Sequence, residues 1–74
     1  MTFEDFLDEF VDIFDDTERE EFKPETNFRE LDEWSSLHGL ATMNMLEQVY
    51  GKKLSVAEFK AQSSVQDLFN IANS

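Results

Sequence analysis

The sequence has no cysteine, one proline (Pro24), two glycines and only six basic residues among 74. Without cysteine there is neither a disulfide nor a thiolate zinc site, so apolar packing must hold the fold, and a reducing compartment is the natural setting. No apolar run approaches the roughly 18 residues of a membrane span. The start Met1-Thr2-Phe3-Glu4-Asp5 lacks the basic opening of a secretory signal, so a cytoplasmic protein without membrane insertion is expected. Six bases against seventeen acids leave a net charge of −11, which disfavours nucleic acid and anionic membranes as partners. A chain this short has room for one domain, 1–74, and buries roughly 60% of its surface on folding, so its eight Phe must be used efficiently.

The charge is unevenly placed. Residues 1–33 hold fourteen acids and three bases, whereas residues 34–74 hold three of each. All of the excess lies in the first half, as either a solvated face or a docking surface for a basic partner.

Phe3, Phe6, Leu7, Phe10, Val11 and Phe14 recur at helical spacing opposite Glu4, Asp5, Asp8, Glu9 and Asp12. Thr2 and Asp5 have capping-box spacing, so a first helix is expected from about 3 to 14, burying four aromatic rings. From Asp15 to Ser35 no period persists. A loop beyond about 12–15 residues is uncommon in a compact domain, and Phe22, Phe28, Leu31 and Trp34 predict that this one is ordered, with a short turn at 17–22. Ser35 or Ser36 opens a second helix through Leu37, Leu40, Ala41, Met43, Met45, Leu46, Val49 and Tyr50, which Gly51 stops. These apolar positions nearly encircle the helix, so part of it is expected to face a partner. Core packing is the ordinary role of Met43 and Met45. Ser55 with Glu58 and Ser64 with Asp67 mark two further starts, a short helix 56–61 and a last one carrying Val65, Leu68, Phe69 and Ala72, with Ile71 at its edge. The predicted architecture is all-α: a four-helix bundle with a short third helix and a long loop between helices one and two.

Parts needed for ordinary enzymes are missing. There is no Gly-rich phosphate loop and no His or Cys cluster for a metal, and the single His38 has no cysteine to activate. Asp15-x-Thr17-x-Arg19 fails as a calcium loop, because Arg19 and Glu20 stand where an oxygen ligand and glycine belong. The many carboxylates are expected on exposed faces with unperturbed acidity. What remains is Trp34-Ser35-Ser36-Leu37. Its serines either cap the second helix or present a hydroxyl whose phosphate ester would sit among free backbone N–H groups at the positive end of the helix dipole.

The chain resembles the acyl carrier protein family along nearly its whole length. The resemblance rests on the capped first helix, Thr26-Asn27-Phe28-Arg29-Glu30-Leu31, Trp34-Ser35-Ser36-Leu37, Leu46-Glu47-Gln48-Val49-Tyr50-Gly51, and Ser64-Val65-Gln66-Asp67-Leu68. The family's attachment motif is Asp-Ser-Leu, often after Trp. Ser36 matches its serine, Leu37 its leucine and Trp34 its tryptophan, while Ser35 replaces the aspartate. The resemblance implies that a phosphopantetheinyl transferase moves 4′-phosphopantetheine from coenzyme A onto Ser36, and that acyl groups ride as thioesters on the arm, in fatty-acid, polyketide or related specialised biosynthesis. It implies a monomeric, non-enzymatic carrier that meets acyl-transferring and acyl-modifying enzymes through Leu37, His38, Leu40, Ala41, Asn44 and Glu47, and binds no metal. Core packing is an equal reading of Leu37, and an isolated exposed His38 ordinarily has no special role.

Two departures stand out. The family's second helix is often strongly acidic, yet residues 36–50 here carry one charge, Glu47, so docking must use a neutral surface or the acidic first helix and loop. Ser35 in place of aspartate keeps a good capping residue, so helix stability should change little. Other readings are an aminoacyl or peptidyl carrier, and an unmodified acidic helical module that binds a basic partner.

Overall fold

Alternating capping signals and apolar stripes produce four α-helices in the computed structural model, which describes residues 1–74. The first, α1 (Phe3–Phe10), begins with the expected reciprocal box: the Thr2 hydroxyl accepts from the Asp5 N–H and the Asp5 carboxylate from the Thr2 N–H, each at 3.1 Å. Phe6, Leu7 and Phe10 are buried, while Phe3 is only half-buried and meets the Phe69 ring edge-on at 5.7 Å, so the first helix contributes fewer fully buried rings than its stripe suggests.

The helix also ends at Phe10 rather than Phe14. Val11–Ile13 tighten into a 3₁₀ turn, and Phe14 is extended (φ −102°, ψ 138°). The cause is tertiary. Glu33 captures the N–H groups of Asp15 and Asp16, and Phe14 lodges against Phe10 and Phe22 at centroid distances of 5.3 and 4.9 Å.

The long loop is ordered, with 3₁₀ turns at Arg19–Glu21 and Phe28–Glu30. Phe22 and Phe28 are buried, and Leu31 and Trp34 half-buried, which offsets the entropy of fixing the segment. Its polar backbone is satisfied across the molecule. Val65 N–H donates to Thr26 C=O and Gln66 N–H to Pro24 C=O, both at 2.9 Å, and the Arg29 guanidinium donates to the carbonyls of Phe59 and Gln62 while lying 4.7 Å from the Phe28 ring centroid.

Helix α2 (Ser36–Tyr50) turns Gly39, Thr42, Met45 and Leu46 inward. Gly51 ends it in the left-handed conformation (φ 70°), and the N–H groups of Gly51 and Lys52 close onto Glu47 and Leu46 carbonyls at 2.9 and 3.0 Å. Helices α3 (Val56–Lys60) and α4 (Val65–Ala72) each start with a closed box, Ser55 with Glu58 and Ser64 with Asp67. Val65, Leu68 and Ala72 join Phe6, Phe10, Phe28 and Leu46 in one apolar core, and the half-buried Met43 and Phe69 pack at its margin, whereas Ile71 is half-buried outside that cluster. No helix is long and apolar enough to cross a membrane.

Candidate functional site

The start of α2 differs from the other helix starts. Ser35 has the extended backbone of an N-cap (φ −145°, ψ 174°), and its carbonyl accepts the Gly39 N–H at 3.2 Å. Its side chain makes no capping bond. The hydroxyl instead lies 2.8 Å from His38 Nδ1, which corrects the expectation that Ser35 caps the helix. The N–H groups of Ser36, Leu37 and His38 consequently have no protein acceptor, and they stand at the positive end of a 15-residue helix. Ser36 occupies the first helical position and is exposed.

His38 is neither isolated nor exposed, contrary to expectation. Its ring is half-buried, with centroids 5.0 Å from Phe14 and 6.0 Å from Trp34, and its Nε2 lies 3.3 Å from Glu33 Oε2. The same carboxylate accepts from the Thr17 hydroxyl and Asp15 N–H, both at 2.7 Å, and from Asp16 N–H at 3.0 Å. Thr17 first, then the Asp15 amide, hold the Glu33 pKa at about 2 against an ordinary 4.5, because each bond stabilises the anion. The expectation that no carboxylate here has perturbed acidity therefore fails at Glu33. Sequence spacing offered no signal for this residue, since its loop partners lie 16–18 positions away.

With Glu33 anionic, hydrogen bonding fixes the neutral ring's tautomer. The carboxylate can only accept, so Nε2 carries the proton, and the Nδ1 lone pair accepts from the Ser35 hydroxyl.

The other sequence-predicted residues form an outward stripe. Leu37 and Leu40 are 75% and 63% exposed, which excludes core packing for Leu37. Asn44 and Glu47 continue the stripe into solvent, and Ala41 is half-buried beside it. His38 alone of the set has its ring engaged by other side chains on the inner side. A groove of about 400 Å³ adjoins Ser36, lined by Trp34, Gly39, Met43 and Phe59 together with exposed Leu40 and Val56.

The family model described as "Phosphopantetheine attachment site" matches residues 4–71. Comparison with curated proteins and with solved structures gave no match. Proteins of the matched family carry covalently attached 4′-phosphopantetheine and are generally non-catalytic carriers that meet transferases and acyl-processing enzymes. The start of α2 suits such a group: an exposed hydroxyl for a phosphodiester, unpaired amides and a positive dipole end beside it, and no acidic side chain on residues 34–46.

Proposed function

The chain belongs to the phosphopantetheine-attachment family, and on that footing we propose that Ser36 carries the arm and that the protein presents acyl intermediates for fatty-acid, polyketide or related specialised biosynthesis. The observation that carries this reading is the exposed Ser36 hydroxyl at the first turn of α2, among backbone N–H groups with no protein acceptor. In the loading reaction the Ser36 oxygen attacks the pantetheine-bearing phosphorus of coenzyme A. The bond from that phosphorus to the bridging oxygen breaks, adenosine 3′,5′-bisphosphate leaves, and the serine proton passes to a base of the transferase. Once attached, the group supplies the thiol that holds an acyl chain as a thioester.

This chain's own contribution is positional. The helix amides and dipole receive the phosphodiester charge, worth about 0.3–1 kcal/mol at an exposed helix end. Leu37 and Leu40, with Ala41, Asn44 and the edge of His38, form a largely apolar surface that enzymes meet, with Glu47 as its single charge. The acids of α1 and the loop give long-range attraction to basic partners. We further read residues 1–74 as one monomeric, cytoplasmic carrier domain, a view supported by its single apolar core and the absence of cysteine.

Incubation with coenzyme A and a broad-specificity phosphopantetheinyl transferase, followed by intact-mass measurement, tests the reading. Gain of one phosphopantetheinyl group, lost in Ser36→Ala, is expected. No addition with several transferases would reject the carrier role in favour of an unmodified interaction module.

A further inference from the structure

Resting on the reading that Ser36 bears the arm, we propose that Lys60 and Arg29 form a cationic clamp for its phosphodiester and turn the arm into the groove between α2 and α3. The groove of about 400 Å³ is lined by Ser36 itself and by two charged residues, Arg29 and Lys60, both basic. No carboxylate lines it, in a chain with seventeen acids and six bases. Two of those six bases thus stand around the hydroxyl that is to carry an anion.

Neither cation is neutralised elsewhere. The ion pairs of the molecule join Arg19 to Asp8 and His38 to Glu33, and involve neither Arg29 nor Lys60. The Arg29 guanidinium is pinned: Nη2 donates to the Phe59 carbonyl at 2.8 Å and Nη1 to that of Gln62, with the Phe59 ring centroid 5.2 Å away. Those bonds use two of its five N–H groups and leave its charge uncompensated. Lys60 is exposed at the end of α3, next to Phe59, and a Cβ on Gly39 would stand 3.6 Å from the Phe59 ring. Gly39 lies about one helical turn after Ser36, so the start of α2 and the end of α3 share one groove. The hollow around Lys52 and Lys53, about 580 Å³, differs in each respect: Asp67 lines it, Lys52 Nζ donates to the Ser74 carbonyl at 2.6 Å, and Ser36 is not part of it.

The chemistry matches the charge. A phosphodiester stays a monoanion across the working pH range, and ammonium and guanidinium groups form charge-assisted hydrogen bonds to such oxygens. With that end held, the rest of the arm meets Trp34, Met43, Phe59 and Val56, and the missing side chain of Gly39 leaves the floor between the two rings open. No bond is made or broken.

Arg29 also ties the loop to α3, so Lys60 carries the test. The Tm difference between Ser36→Glu and Ser36→Gln measures an anion at this position, because the glutamate carboxyl carbon stands as many bonds from Cβ as the phosphorus would. At low ionic strength that difference is expected to fall by about 1–8 °C in Lys60→Gln, the range of one accessible ion pair in a domain this size. It should persist in Lys60→Arg, and in Lys53→Gln, which removes a charge outside the groove. In the loaded protein, nuclear Overhauser contacts from the geminal methyl groups of the arm to Met43 and Val56 are expected to weaken in Lys60→Gln. Equal Glu-minus-Gln differences with and without Lys60, an equal loss in Lys53→Gln, or arm contacts indifferent to Lys60 would overturn the clamp. The Glu-minus-Gln comparison needs no arm, so failure of loading rejects the carrier reading alone, and equal differences with loading intact reject the clamp alone.

Discussion

Three helices of this bundle begin with closed boxes and one begins open. At Thr2–Asp5, Ser55–Glu58 and Ser64–Asp67, hydroxyl and carboxylate bond each other's backbone amides, and the three carboxylates are held below their usual acidity range chiefly by those backbone bonds. At Ser35–His38 the partner is an imidazole, the hydroxyl turns aside, and the helix amides stay unpaired. The closed starts spend their polar groups on stability. The open start keeps them for chemistry, beside the exposed Ser36.

The largest stability effect that sharpens this contrast is at a closed start. Ser64→Ala is expected to cost about 1–2 kcal/mol, a fall in Tm of roughly 4–8 °C per kcal/mol for a domain of this size, measured by thermal unfolding. Ser35→Ala should cost much less, because no helix bond is lost; an equal cost would break the comparison.

Next comes Glu33→Gln, which weakens the anchor of both the loop and the His38 ring. Glu33 has a folded pKa of about 2 against 4.5. A depressed carboxylate stabilises fully above its unfolded pKa and loses that contribution as pH falls through the folded value. The Tm of the parent should therefore decline between pH 4.5 and 2, and the gap between parent and Glu33→Gln should narrow over that interval. A gap that is constant with pH would show that the carboxylate charge is not what Glu33 supplies.

Closing the open start gives a smaller change of opposite sign. In Ser35→Asp the new carboxylate can accept from the free amides, so unfolding should require about 0.5–1 kcal/mol more. Denaturant melts check this, and no gain would mean that the amides are already satisfied. Smallest of all, Leu40→Ala should move stability by less than about 0.5 kcal/mol, since the side chain is 63% exposed, while slowing encounters with acyl-processing enzymes.

The closed starts were legible from the sequence because a capping box is local: Ser64 and Asp67 lie three positions apart, and their spacing alone predicts the contact. Gly51 was legible for the same reason, as were the loop anchors Phe22 and Phe28, whose size demands burial. The end of α1 was not, because the contacts of Glu33 with Asp15 and Asp16, 17–18 residues away, decide it. His38 looked isolated for the same physical reason: its neighbours Phe14 and Glu33 come from the preceding turn and loop, and no helical spacing connects them. The candidate site was readable as a serine at a helix start, but its supporting network was visible only in three dimensions.

The central claim is that Ser36, rather than its neighbour, holds the arm. Tandem mass spectrometry of the tryptic peptide Glu30–Lys52 after transferase treatment tests it most directly. Fragment ions that place phosphopantetheine on Ser36 are predicted; fragments that place it on Ser35, or an unmodified peptide from a fully converted reaction, would contradict the account.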